Sequence, residues 1–301
     1  MLIKNKINVM AILSFLILLV ILGYGAFTYI QNQNRIYQKD AEFAEFCSSI
    51  DYENSEYKNL CPYVLSIAGY KIDFYTAFAN IAVMNLSTFS FLLSLFVMLP
   101  ALIYICHYFR HKMIINDAQR CDYKKIKHKI FTHSYMAVII FPLIIIIGFT
   151  ISFLYTKNFD YNTALNFSSV PWSASTMRSP MIFMGGYLLN VIIHSFLYVN
   201  VSLCVARKYH NYFVAAILSF LTVIGIECIL EIGFYGVVFT SILHSPVGIV
   251  FNIMNFISFN DSYGILANLS VPIIMMILSF IAVHFLYKNK ESLIIDCEKN
   301  E

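Results

Sequence analysis

The chain has 301 residues, 59% of them hydrophobic and only 12% charged, with a mean hydropathy of +0.70. Soluble globular domains carry about a quarter charged residues, so the composition is that of a polytopic membrane protein surrounded by lipid bilayer. The formal net charge of +3 is small and its cations are sorted by position along the chain, so no nucleic-acid partner is expected.

The chain opens with Lys4 and Lys6, followed by an almost uninterrupted apolar stretch from Ile7 to Ile30. That stretch exceeds the roughly 7–15 residues of a signal-peptide core, so it predicts a retained first span over about 8–30. Residues 31–75 are polar and acidic, with Asp40, Glu42, Glu45, Asp51, Glu53 and Glu56, and predict a small external cap with some helix. The cap holds Cys47 and Cys61. The other five of the seven cysteines, Cys106, Cys121, Cys204, Cys228 and Cys297, fall in spans or on the opposite side, where thiols stay reduced. A Cys47–Cys61 disulfide is therefore expected. No cysteine pair has the spacing of a zinc site.

The second span is predicted over about 80–106, within an apolar run from Phe74 to Phe109 in which Pro100 removes a helical hydrogen bond and should bend the helix. After it comes the basic run His107–His133, with Arg110, Lys112, Arg120, Lys124, Lys125, Lys127 and Lys129 against only Asp117 and Asp122. Charge bias places residues 107–134 in the cytoplasm. The run is either a retention signal alone or a surface for a cytoplasmic partner, long enough for one or two short helices. A third span is expected over 135–155, and the external loop 156–180 contains Trp172, an aromatic suited to interfacial anchoring.

The fourth span, 181–205, contains Gly185 and Gly186, which would allow close helix approach. Tyr187, Asn190, His194 and Tyr198 then recur at spacings that put them on one helix face. A very short turn, Arg207–Asn211, leads into a fifth span over 212–239 with Glu227 and Glu231 one turn apart. Residues 240–263 are too apolar for a solvated loop; Pro246 and Gly248 interrupt them, which predicts a re-entrant or interfacial segment. The sixth span is expected over 266–287, and a short charged tail follows. Six spans put both termini in the cytoplasm. The external segments then hold only Arg35, Lys39, Lys58, Lys71, Lys157 and Arg178 of the 20 Lys and Arg residues.

The chain has no G-x-x-x-x-G-K-[ST], no H-E-x-x-H and no G-x-S-x-G, so neither nucleotide hydrolysis nor metal or serine hydrolysis has a physical basis in its motifs. Intramembrane Glu227, Glu231 and His194 are the costly residues, since a charged side chain in hydrocarbon costs at least about 2.5 kcal/mol, and Asn190 is the polar neighbour of His194. Three roles are open to the acids: structural hydrogen bonding, lining a transport path, and catalysis. For His194, packing and proton relay are the alternatives.

Six spans, both ends inside, a basic loop between spans two and three, and an apolar interrupted stretch before span six together resemble the membrane subunit of type-2 ATP-binding-cassette (ABC) exporters, over nearly the whole chain. The resemblance implies a single transmembrane domain over 1–301 in a bacterial plasma membrane. It also implies a second copy or related permease as partner, and a separate ATPase that binds the ATP, this chain holding no cofactor. In that family the loop between spans two and three forms the coupling helix, which here would comprise Asp117 to Lys129, with Asp117, Arg120, Lys124, Lys125, Lys127 and Lys129 as its docking residues. The family's glutamate-glycine-threonine pattern after span two is replaced by His111-Lys112-Met113-Ile114. Two other classes compete: a stand-alone membrane protein, such as a proton-coupled transporter or an immunity protein, and a CAAX-type intramembrane protease. The protease motif needs paired glutamates followed by arginine, whereas three residues separate Glu227 from Glu231 and no arginine follows in the span.

Overall fold

The computed structural model describes residues 2–50, 56–67, 72–84, 86, 90–157, 180–251 and 265–299. Among them every regular element is a helix, the form that satisfies its own backbone where lipid offers no hydrogen bonds. Six helical stretches are long and apolar enough to cross a membrane: Val9–Ser49, Leu92–Arg110, Tyr123–Thr156, Met184–Lys208, Tyr212–Ile242 and Leu266–Leu286. The chain is thus an all-α polytopic membrane protein. Its packing separates into two units, Met1–Leu19 with Leu86–Ile145 and Trp172–Glu301, and Val20–Asn85 with Ile146–Pro171.

Helix α1, Leu2–Ser49, does not stop where its apolar run ends at Ile30. Its 48 residues would extend roughly 72 Å at 1.5 Å per residue, against about 30 Å of hydrocarbon. The polar continuation, QNQNRIYQKDAEFAEFCSS, contains neither proline nor glycine and is rich in helix formers, so nothing in it ends the helix. Within the unit formed by Val20–Asn85 and Ile146–Pro171, this outer part of α1 is the support for the predicted cap. Helix α2, Leu60–Ile67, is tied to α1 by the Cys47–Cys61 disulfide. The rings of Phe43, Phe46 and Tyr57 cluster beside it, with Phe46 and Tyr57 edge-to-face at 5.6 Å. The Ile72 N–H donates to the Tyr37 hydroxyl at 2.7 Å, returning the chain to α1. Asp73, fully buried, then caps α3, Phe74–Phe78, by accepting from the Thr76 N–H at 3.0 Å.

Helix α3 widens into a π turn over Ala79–Met84. The expected second span over 80–106 thus begins in this π turn, and 85 and 87–89 within it lie outside the described residues. A short piece packs in the cap unit, and α4, Ser90–Arg110, supplies the crossing helix, with Pro100 inside it. In the same unit Phe74 meets Phe149 edge-to-face at 4.7 Å, and Ala82 lies so near Gly148 that a Cβ there would come within 2.9 Å of the Ala82 Cβ. This contact, rather than Gly185, is where a small residue brings helices together: a Cβ at Gly185 would meet nothing within 4 Å.

In the other unit the basic run folds into α5, Met113–Arg120, and α6, Tyr123–Tyr135. A short 3₁₀ turn, Met136–Ile139, joins α6 to α7, Ile140–Thr156, so the helical stretch that supplies the third span starts well inside the basic run. Helix α8, Pro180–Lys208, is the central element and packs against α4, α9 (Tyr212–Cys228) and α10 (Ile265–Leu286). Polar pins fix its neighbours. The Tyr135 hydroxyl donates to Asn200 Oδ1 at 2.6 Å, and Asn200 Nδ2 donates to Ser279 Oγ at 2.9 Å, so one fully buried asparagine links α6, α8 and α10. Asn211 caps α9 by accepting from the Phe213 N–H at 3.0 Å, which explains the abruptness of the turn after Lys208.

Beyond Cys228 the fifth span continues as a π-helix, Ile229–Ile242. The chain then reverses through His244, at φ 47°, into a 3₁₀ turn, Pro246–Phe251. Phe251 stacks on both Phe234 and Phe239, at 5.4 and 5.2 Å. The reversal needs glycine at 248, because a Cβ there would sit 2.3 Å from the Phe239 Cβ. The first half of the interrupted apolar stretch thus folds back on the fifth span; 252–264 lie outside the described residues, as do Trp172 and most of the loop around it. A helix missed by sequence reading closes the chain: α11, Lys290–Lys299.

Candidate functional site

Two polar regions remain once the apolar packing is accounted for, one inside the spans and one at their basic end. Within α8, Tyr187, Asn190, His194 and Tyr198 are all nearly inaccessible, as their shared face predicts. His194 Nδ1 lies 2.8 Å from the Asn190 carbonyl, which can only accept, so Nδ1 carries the proton. Tyr187, His194 and Tyr198, together with Leu86, Phe141 and Ile145, line a cavity of about 20 Å³, room for about one water molecule. Glu227 is 6% exposed and interacts electrostatically with Tyr198 and Glu231. Glu231 is only half-buried, so the two acids share a turn but not an environment.

At the basic end, the turn between α4 and α6 is an elbow with an internal lock. Asp117 on α5 accepts hydrogen bonds from the Tyr108 hydroxyl and from Lys129 Nζ, the latter at 2.9 Å. Lys129 also lies 5.2 Å over the Tyr108 ring. Partial burial works against the ionised form of Asp117, but the donated hydrogen bonds and the nearby cations outweigh it and hold the carboxyl below its ordinary range. With the folded value depressed, the stabilisation is complete above the ordinary pKa of about 3.9 and is lost as pH falls through the lowered folded value. Asp117→Asn should accordingly loosen α5 at neutral pH by about 1 kcal/mol, since one lock is removed from a partly solvated site. Hydrogen exchange of the Met113–Arg120 amides should speed up about fivefold, and acidification that protonates Asp117 should have the same effect on the unmodified protein. Unchanged exchange would mean that the lock does not hold the elbow.

A second set of contacts attaches the elbow to the tail. Lys290 Nζ donates to the Ala118 carbonyl at 2.8 Å, and the Tyr123 hydroxyl donates to the Tyr287 carbonyl at 2.7 Å. Tyr287, fully buried, donates in turn to the Leu203 carbonyl at 2.9 Å. Arg207 at the end of α8 binds Asp296 at 2.8 Å and Ser292 at 3.0 Å on α11, with its guanidinium 5.7 Å over the Tyr287 ring. Helix α11 is thereby clamped to the base of α8 on one side and to α5 on the other.

No protein-family model, curated protein or solved structure matches the chain.

Of the residues expected to dock a partner, Asp117 and Lys129 make the internal lock, and Lys127 lies 5.5 Å from the Phe131 ring. Arg120, Lys124 and Lys125 are exposed. Sequence reading missed Tyr108, Arg207, Tyr287, Lys290 and Asp296. The usable signal was the single aspartate among the charges of the tail and an arginine at the foot of the most polar span.

Proposed function

We propose that this chain is the membrane subunit of a type-2 ABC exporter of a bacterial plasma membrane. Two copies, or this chain and a related permease, form the path, and a separate ATPase supplies ATP hydrolysis by docking on the α5–α6 elbow. The observation that carries the reading is the elbow itself: a short helix braced by Asp117, Tyr108 and Lys129 against the base of the second span, tied by Lys290 to α11, and presenting Arg120, Lys124 and Lys125 to solvent. A braced elbow transmits force, whereas a retention signal needs charge alone and no brace. Exposed cations would give the ATPase an electrostatic landing site, with their main effect on the association rate.

The test is co-purification from the native host with charge reversal at Lys124 and Lys125. These side chains stand in water, so folded yield should hold, while retention of an ATPase subunit should fall about tenfold or more. Protein that never retains an ATPase, with or without the substitutions, would overturn the proposal. Buried Asn190, His194 and Glu227 favour one competing reading, a stand-alone proton-coupled transporter. Proteoliposomes containing this chain alone separate the two: substrate uptake driven by a pH gradient and abolished by Glu227→Gln would favour the competitor.

A further inference from the structure

A second cavity lies at the basic ends of α4 and α9, with a volume of about 240 Å³. Its lining is divided by chemistry. Ile103 and Cys106 on α4 and the Tyr212 ring form an apolar wall toward the span interior. His107 and Arg110 further along α4, and His111 just past its end, form the polar mouth, with the two imidazole rings 4.1 Å apart. His210 closes the far side; its Nε2 lies 3.0 Å from the Arg207 carbonyl and its ring stacks on Phe109 at 4.7 Å. Burial keeps His210 below its ordinary range, so it enters as a neutral wall and the positive charge comes from Arg110.

No carboxylate lines the cavity. Among the described residues no three His, Cys, Asp or Glu side chains are arranged to hold a metal ion, so the histidines do not make a metal centre. The cavity instead matches an amphipathic anion: charge and N–H donors at the mouth, at the level where the spans end, and apolar side chains leading into the hydrocarbon. Basic pockets between spans on the cytoplasmic side are the ordinary environment for anionic headgroups, and the sorting of Lys and Arg assigns this end of the spans to that side.

We propose that the cavity between α4 and α9 binds the phosphate headgroup of an acidic phospholipid, with Arg110 and the His107–His111 pair contacting the phosphate and the Ile103–Cys106–Tyr212 wall receiving the start of the acyl chains. This site is independent of whether an ATPase docks on the elbow. Its contribution would be to fasten the second and fifth spans at their basic ends, adding to the bond that the Tyr212 hydroxyl donates to the Leu99 carbonyl at 3.4 Å.

The experiment is native mass spectrometry of the full chain in detergent, titrated with phosphatidylglycerol, with phosphatidylcholine, and with inorganic phosphate. Phosphatidylglycerol should be retained about fivefold more strongly than phosphatidylcholine, the effect of one well-placed cation near a membrane surface. Arg110→Gln should remove that preference. Lys288→Gln, which deletes an exposed cation at the same end of the spans but away from the cavity, should leave it in place. Ile103→Trp, which fills the apolar wall without touching charge, should weaken binding of both lipids and serves if Arg110→Gln does not fold. Equal retention of the two lipids, or loss of preference with Lys288→Gln as large as with Arg110→Gln, would overturn the proposal. Inorganic phosphate that competes as well as phosphatidylglycerol would overturn the lipid assignment in favour of a soluble anion.

Discussion

Replacing Cys47 and Cys61 together by serine should destabilise the cap unit by about 3 kcal/mol, the loop-closure effect expected for a bridge that spans 14 residues in sequence. The bridge is the one covalent tie between α1 and α2, and α2 is short. Eight residues do not hold a helix in water without tertiary support, and beside the disulfide lies the ring cluster of Phe43 and Phe46 on α1 with Tyr57 just ahead of α2. Limited proteolysis after Lys58, followed with and without reductant, reads the effect. Cleavage should accelerate at least tenfold in the double variant and in the reduced protein, and the α5–α6 elbow should keep its exchange protection. Equal cleavage rates would show that the ring cluster suffices and that the bridge adds nothing. Non-reducing digestion that returns two separately alkylated peptides would remove the bridge altogether.

Arg207→Met should release α11 from the foot of α8. The Arg207 side chain is only 10% exposed and serves three partners at once, Asp296, Ser292 and the Tyr287 ring. Methionine retains the apolar stem but leaves Asp296 without its cation. Breaking a fully buried pair costs about 3–5 kcal/mol; Asp296 is 38% exposed and water recovers part of that, so about 2–3 kcal/mol is expected. The readout is hydrogen exchange over Lys290–Lys299, which should speed up roughly 30- to 100-fold, with α10 unchanged. Asp296→Asn should do less, because the amide can still accept from the guanidinium. The functional consequence follows through Lys290: with α11 released, its contact to the Ala118 carbonyl is lost, and the elbow should show faster exchange too. If α11 opens and the elbow does not respond, the tail is a local clasp without influence on the docking surface.

Much of the architecture was readable in the chain because the bilayer imposes one length and one polarity on whatever crosses it. The expected crossing segments 8–30, 135–155, 181–205 and 212–239 lie inside helical stretches found there, 266–287 overruns its helix by one residue, and the oxidised pair follows from the side to which the charge bias assigns each cysteine. The readings that shifted all involve backbone whose path depends on contacts distant in sequence. The apolar run from Phe74 to Phe109 reads as one overlong span, since nothing local reveals that Asp73 caps a separate short helix whose Phe74 packs against Phe149. Similarly, Gly185 has the residue type of a packing contact without the neighbour, while Gly148 and Gly248 acquire theirs from Ala82 and Phe239.

The candidate sites divide in the same way. Periodicity alone put Tyr187, Asn190, His194 and Tyr198 on one face of α8, because helical spacing is a local property. It could not place the cavity that Tyr187, His194 and Tyr198 line with Phe141 and Ile145 from another helix. For the basic run, composition identified a charged elbow and its cations but not their division of labour. Asp117 and Lys129 are engaged with each other and with Tyr108, and Tyr287 and Lys290 join the elbow to the tail, through contacts that span as many as 172 positions along the chain. Such pairs leave no pattern in one sequence, since each partner is individually an ordinary residue at the end of a span. Composition and periodicity thus determined which segments cross and which end is basic; which cations remain free to meet a partner was decided only when the helix ends packed together.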